Sequence, residues 1–317
     1  DEIFREFYRC ENNVSDAEVI LPLHWSLMSQ NVMAEDYIRD EFDWIRSACG
    51  TETRTEYLEM ERRGRGYPID TRFRKMLLEG LQAWTKKMTD IGIIDYLGLS
   101  AAVQAHSERI KAEYRCVVVD EVQDFGSTEL AIIRKLVNEQ ENDLFLCGDL
   151  AQHILPKHQH FAAAGIDVGV RSNTIRRNYR NSKEILRAAY DVLIENLEEH
   201  LLDGGELEIL DPEYASRSSA VPTVLQGDSL NHEIAAAFKL MEEQETSVND
   251  PENAGNSHKG CIVLAGYSLY EIANFGKILD IPVLDGNEGS VHASIVLSDL
   301  EQTKGYEFDT VAILNCT

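Results

Sequence analysis

Two carboxylates stand side by side at the end of a valine run, in Cys116-Val117-Val118-Val119-Asp120-Glu121-Val122-Gln123-Asp124-Phe125. A short β-branched run of this kind predicts a buried parallel strand. Open α/β sheets take their ligands at the carboxyl ends of such strands. One carboxylate there can hold a Mg²⁺ ion, directly or through water, while its neighbour takes a proton from an attacking water. An isolated Asp-Glu pair reads more simply as an acidic turn, so the weight falls on residues further along the chain.

Three further stretches have the same character. Leu144-Phe145-Leu146-Cys147-Gly148-Asp149 is a second apolar strand ending in Gly-Asp, with Gln152 three residues on. Ile175-Arg176-Arg177-Asn178-Tyr179-Arg180-Asn181-Ser182 runs into a helix. Thr303-Lys304-Gly305-Tyr306-Glu307-Phe308-Asp309 precedes a strand from Thr310 to Leu314. In order, spacing and residue type the four resemble motifs II, III, IV and V of the UvrD/Rep-like branch of superfamily 1 helicases. Together they span about two-thirds of the chain.

The resemblance implies an α/β fold of two RecA-like, P-loop NTPase-type domains with parallel sheets, plus an N-terminal helical insertion subdomain. It implies ATP and Mg²⁺ as cofactors, and ATP-driven movement along single-stranded DNA in the 3′ to 5′ direction. The residues themselves do not distinguish DNA from RNA. By the same resemblance Asp120 holds Mg²⁺, Glu121 orients and deprotonates water, and Gln152 senses the γ-phosphate and couples it to the bound strand. Arg180 reaches the γ-phosphate from the second domain, a role that suits a guanidinium. Tyr179 stacks on the adenine. Glu307, with Lys304 and the Gly305 backbone, contacts the ribose-phosphate side. Phosphoryl transfer is mostly positioning and electrostatic stabilisation, so this residue set matches the chemistry. Without the first two motifs, Arg180 would read as a surface arginine and Tyr179 as a core aromatic.

No Gly-x-x-x-x-Gly-Lys-Ser/Thr occurs, and Gly276-Lys277 lacks both the first glycine and the hydroxyl residue. A P-loop NTPase cradles its phosphates in that loop. In the family, motif I precedes motif II and motif VI comes after motif V. The chain therefore reads as an internal fragment that does not hydrolyse ATP by itself. A non-hydrolysing binding or regulatory module of the same fold is the competing reading, and an ATP-driven remodeller without strand separation is another. Some positions depart from the family. His153 or Phe161 stands where an aromatic commonly stacks on a base. Asp299 and Glu301 occupy places where threonine and histidine commonly face the strand, and carboxylates there repel phosphate. The stretch between motifs IV and V has no room for the large helical insertion of UvrD and Rep.

Composition sets bounds on these readings. A chain of 317 residues allows about two domains. No apolar run is long enough to cross a membrane. The six cysteines form no Cys-x-x-Cys pair. Cys116, Cys147 and Cys261 fall in apolar strands and read as reduced core residues of a cytoplasmic protein. The net charge of −25 is unusual for a nucleic-acid binder and points also to a protein partner. Two basic clusters run against it: Arg62, Arg63 and Arg65 with Arg72, Arg74 and Lys75, and Arg171 with Arg176, Arg177 and Arg180.

The elements that must position these residues fall into three regions. Residues 1–112 read as a mostly helical insertion subdomain with part of the first RecA-like domain. Residues 113–172 carry motifs II and III, and residues 173–317 form a truncated second RecA-like domain with motifs IV and V. Helices are predicted at 1–10, 34–47, from 55 to the glycines before Pro68, 70–89, 94–111, 127–139, 230–245 and 267–280. Another starts at an Asn181/Glu184 capping box and runs to about 202. Besides the motif strands, 222–226, 261–265, 281–284 and 293–297 read as strands. Pro22 breaks the apolar segment 20–25, which reads as a strand end entering a turn. Residues 153–170 and 247–259 read as polar loops, the second with the composition of a disordered segment.

Overall fold

The structure is a computed structural model. It describes residues 2–8, 17–62, 65, 67–149, 152, 155–196, 211–247, 259–284 and 293–315. These form two compact units, one reaching Arg176 and the other starting at Arg177.

The first unit begins with helices α1 (Glu2–Tyr8), α2 (Leu21–Met28), α3 (Ala34–Ala48), α4 (Thr71–Asp90) and α5 (Tyr96–Ala105). In α3, Ile38, Phe42 and Ile45 recur at helical spacing and are buried. They meet Phe4, Phe7, Leu23, Leu27, Leu77, Leu81 and Trp84 in one core. Gly80 lets α4 approach closely, since a Cβ there would lie 2.5 Å from Ile20 Cγ2. Asp70 caps α4 by accepting the Phe73 N–H at 2.8 Å.

Several elements differ from the sequence expectations. The segment at 20–25 is not a strand end: Pro22 sits in the first turn of α2, where its missing N–H costs nothing. The helix expected from residue 55 is only a 3-10 turn, Arg54–Leu58, because Tyr57 is drawn into the core. The helix expected at 94–111 is shorter, giving way to a 3-10 turn at Ser107–Arg109.

Strand β1 (Val117–Val119), helix α6 (Ser127–Lys135) and strand β2 (Leu144–Leu146) form a β-α-β unit. The strands pair in parallel, Val117 with Leu144 and Val119 with Leu146. Val117, Val119, Val122 and Leu130 pack on this unit's core face. The other face is open, with Val118 and Phe145 67% and 60% exposed, so β1 is not buried on both sides as its valines suggest. The segment after residue 154 is not a solvated loop. Phe161 packs against the β1 core, and the His158 N–H donates to Ser47 Oγ at 2.9 Å.

The second unit contains α7 (Lys183–Asn196), α8 (Leu230–Ser247), β3 (Gly260–Leu264), α9 (Leu269–Leu279), β4 (Ile295–Ser298) and β5 (Thr310–Leu314). The three strands form a parallel sheet in the order β4-β3-β5. Its core joins Ile262, Leu264 and Leu297 to Ile234, Met241 and Ile272. The cap of α7 lies one residue later than expected: Ser182 Oγ accepts the Ile185 N–H, and Glu184 instead accepts the Ser219 N–H. The end of that helix expected near 202, and most of the polar stretch at 247–259, lie outside the described residues. No strand forms at 222–226, where Val224 and Leu225 are exposed. The strand expected at 281–284 is reduced to one bridge, Val283 to Leu297.

Among the described residues no helix is long and apolar enough to cross a membrane. Of the strand cysteines only Cys261 is a core residue, and burial pushes its thiol up to about 12. Cys147 is half-buried and Cys116 exposed. Cys10 and Cys316 lie outside the described residues.

Candidate active site

The β1–β2 ladder carries on past the strands and sets the geometry of the acidic turn. The Cys147 N–H donates to the Val119 carbonyl, and the Val122 N–H to the Cys147 carbonyl, both at 2.9 Å. Between them the chain leaves β1 through Glu121, whose backbone is left-handed at φ 51 and ψ 43. A non-glycine residue holds that conformation at a cost, and such strain concentrates at functional sites. The turn is secured by the Glu121 N–H, which donates to Asp120 Oδ1 at 2.9 Å.

Gln123 joins the two motifs, and sequence reasoning missed it. It is fully buried. Its Nε2 donates to Glu121 Oε2, and its Oε1 accepts the Asp149 N–H at 3.0 Å. One amide thus orients the second carboxylate of Asp120-Glu121 and anchors the Gly148-Asp149 turn. The approach is close enough to require glycine at 148, where a Cβ would lie 2.2 Å from Gln123 Oε1 and 2.9 Å from the Val122 N. Asp149 Oδ2 in turn accepts the exposed Gln152 Nε2 at 2.8 Å. Gln159 Nε2 closes the back of the turn, donating to the Val122 and Phe125 carbonyls at 2.6 and 3.1 Å. A polar amide two residues after the carboxylate pair, with a glycine at the end of the next strand, was the available signal.

Asp120 itself is exposed. The Cys147 thiol, and then the Glu121 amide, hold its carboxyl below the usual carboxylate range, and the same contact raises the thiol. Both contacts fall on Oδ1. Among the described residues no group of three or more His, Cys, Asp or Glu could hold a metal. One ionised, accessible carboxylate is a donor that fits Mg²⁺, which keeps its waters and takes few protein ligands.

In the second unit, two residues 127 positions apart meet. Arg180 Nη2 and Glu307 Oε1 are 2.7 Å apart, both side chains being well exposed. Asn178 prepares Arg180: its Oδ1 accepts the Arg180 and Asn181 N–H groups at 3.0 and 2.9 Å, and Asn178 bridges to Ala215. Arg217 donates to the Arg180 carbonyl. Tyr179 is 66% exposed, with the Arg177 guanidinium 5.1 Å from its ring centre, so it is no core aromatic. Gly305 takes φ 84 at the turn beside Glu307, and the neighbouring Lys304 N–H donates to the Glu301 carbonyl at 3.3 Å. Asp299 Oδ1 accepts the Gln302 N–H at 2.7 Å, which gives that carboxylate a turn-building role.

Residues 51–156 match the family described as UvrD/REP helicase N-terminal domain. That stretch, about a third of the chain, is similar to the N-terminal domain of UvrD/Rep-like helicases. The match includes α4, α5, β1, α6 and β2, and with them Asp120, Glu121, Gln123, Asp149 and Gln152. No curated protein matches the chain.

The first basic cluster is largely spent inside the fold. Glu41, 0% exposed, accepts Arg62 Nε at 2.7 Å, Arg65 Nε at 2.8 Å and the Tyr57 hydroxyl at 2.6 Å. Arg74 Nη1 donates to the carbonyls of Tyr57, Leu58 and Met60 at 2.8, 3.2 and 2.7 Å. Arg72 and Lys75 stay exposed, and Arg63 lies outside the described residues. In the second cluster Arg171 donates to the Asp167 carbonyl. Phe161, packed in the core, is not presented for base stacking, and His153 lies outside the described residues.

Proposed function

We propose that the chain is part of an ATP-dependent nucleic-acid translocase or helicase that works 3′ to 5′ on single-stranded DNA. Its two units are read as RecA-like domains of a cytoplasmic motor, the first preceded by a helical insertion. The observation that carries this reading is the buried Gln123 amide, which ties Glu121 to the Gly148-Asp149 turn. A change at the carboxylate pair is thereby transmitted to Gln152 through Asp149.

Asp120 would hold Mg²⁺, which neutralises charge on the nucleotide phosphates when bound. Glu121, fixed by Gln123, would orient the attacking water and take its proton. Arg180 would turn from Glu307 to the γ-phosphate, the exchange of one exposed anion for another. Tyr179 would offer its exposed ring to the adenine, and Lys304, Gly305 and Glu307 would contact the ribose-phosphate side. The chain contains no P-loop, so by itself it is expected to turn over no ATP.

The test is ATP hydrolysis by the complete natural polypeptide, with and without single-stranded DNA, beside Glu121→Gln. Turnover that rises with DNA and vanishes in the variant supports the motor. Absence of turnover, or turnover indifferent to the variant, overturns it. The internal use of Arg62, Arg65 and Arg74 and the net charge of −25 favour a second reading, an ATP-driven remodeller of a protein–nucleic-acid assembly. ATPase activity without strand displacement would select that reading.

A further inference from the structure

Four consecutive residues, Lys157-His158-Gln159-His160, bind three elements together. The His158 N–H donates to Ser47 Oγ at 2.9 Å, at the end of α3. Ser47 is fully buried, and its own hydroxyl donates to the Trp44 carbonyl at 2.8 Å, so this anchor is fixed on the helix side. The His158 carbonyl accepts the Ser127 N–H at 3.0 Å, and the His160 N–H donates to Ser127 Oγ at 2.9 Å, at the start of α6. Lys157 Nζ lies 2.8 Å from Glu129 Oε2, the same oxygen that accepts the Gly126 N–H.

Gln159 stands between these anchors, and its amide is spent on the acidic turn. Its Nε2 carries two hydrogens and reaches two carbonyls, Val122 at 2.6 Å and Phe125 at 3.1 Å. Those carbonyls bracket the 3-10 turn Val122–Asp124, which the strained Glu121 immediately precedes. Two amides therefore hold this turn. Gln123 ties it to Asp149, and Gln159 ties it to α3 and α6. The joint with α3 is tight: a Cβ on Gly126 would lie 2.5 Å from Ser47 Cβ, and Thr128 Oγ1 donates to the Arg46 carbonyl at 3.2 Å. Ile38, Phe42 and Ile45 root α3 in the helical core, so a displacement of that core arrives at Ser47.

We propose that Gln159 is a positioning residue for Glu121, and that residues 157–160 are the strap through which the helical core sets the acidic turn. The proposal rests on the ATPase reading of Asp120-Glu121. A ligand that shifts α3 would then change the rate of water attack without touching the nucleotide.

Amide hydrogen exchange in the chain itself tests the strap with no nucleotide present. The reporters are the Asp124 and Phe125 N–H groups, bonded to the Glu121 and Val122 carbonyls, and the Leu81 N–H of α4 reports opening of the whole unit. Gln159→Met removes both donors at similar length and should speed exchange at Asp124 and Phe125 about tenfold or more relative to Leu81. Ser47→Ala touches neither reporter but should do the same, and the double variant should add little to either. In the complete natural polypeptide, Gln159→Met should lower kcat for ATP about tenfold and leave KM within about twofold, the split expected when an interaction acts on the chemical step. Exchange at Asp124 and Phe125 that rises no more than at Leu81 overturns the strap. Gln159→Asn, one methylene shorter, repeats that comparison in a milder variant. A rise in Gln159→Met but none in Ser47→Ala overturns the coupling to α3. Turnover indifferent to Gln159→Met overturns the positioning role and leaves the motor standing. No turnover in the unaltered polypeptide fails the motor instead, and exchange alone then decides the strap.

Discussion

Replacing Glu41 by Gln keeps the shape of the side chain and removes one charge from the place where Tyr57, Arg62 and Arg65 converge. Arg62 and Arg65 have side chains only 5% and 10% exposed, so neither guanidinium can turn to water without opening the fold. Breaking a buried pair by removing one partner costs about 3–5 kcal/mol. Whole domains hold only about 5–15 kcal/mol, so the loss is a large share. The three tryptophans of the chain, Trp25, Trp44 and Trp84, all lie in the first unit, so their fluorescence during urea unfolding reports that unit. With a slope of about 2 kcal/mol per molar urea, the midpoint should fall by about 1.5–2.5 M. The effect has a pH signature. Burial alone would raise the Glu41 pKa, but the hydrogen bond and charge of Arg62, then Arg65 and Tyr57, outweigh it and hold the carboxyl below its ordinary 4.5. A depressed folded pKa stabilises above the unfolded value and loses that contribution as pH falls through the folded one. The gap between the native chain and Glu41→Gln should therefore be full at pH 7 and narrow below about 4.5. A midpoint shift under about 0.5 M at pH 7 would refute the clamp and return Arg62 and Arg65 to the pool of surface charges.

Other outcomes rest on the same structure. Gly148→Ala drives a Cβ into Gln123 and the Val122 backbone and should cost about 1–3 kcal/mol in thermal unfolding. Gln123→Leu leaves the Asp149 N–H unpaired, costing about 1–3 kcal/mol, and should lower ATP turnover of the complete polypeptide more than about tenfold. Arg180→Ala breaks only an exposed pair, so unfolding should move by less than about 1 kcal/mol, while turnover of the complete polypeptide collapses. Burial raises the Asp43 carboxyl to about 6 despite Arg46, so its contribution to stability is present at low pH and is lost as pH rises from 3.8 through about 6. Asp43→Asn should remove that slope from the stability–pH curve.

The parallel strands and the helix between them were legible because valine and leucine runs, a helical period and a short connection agree with one another. Asp120-Glu121 and Gly148-Asp149 were legible as the turns that leave the strand ends for the same reason. Arg62 and Arg65 were misread because their partner lies 21 and 24 residues upstream in α3, and no local pattern announces that a helix glutamate is buried. Pro22 misled by its type, since a breaker inside an apolar run is also a good residue for a first helical turn. The cap of α7 moved by one because Asn178, not Asn181, organises the turn before it. Gln123 went unassigned because its role depends on a glycine that the sheet brings to it from the next strand.

Strand β3 is the middle strand of its sheet and is buried at all five residues, Gly260-Cys261-Ile262-Val263-Leu264. Its neighbour β5 arrives late: Lys259 and Asp309, which meet just before the two strands, are 50 residues apart. At synthesis rates of about 5–20 residues per second, that interval lasts about 3–10 s. During it an uncharged, β-branched segment without proline waits on the ribosome with an edge unfilled, the composition that favours intermolecular pairing. Slow passage through this window should send nascent chains into aggregates, so codon choice between β3 and β5, or chaperone supply, sets the soluble yield of the second unit.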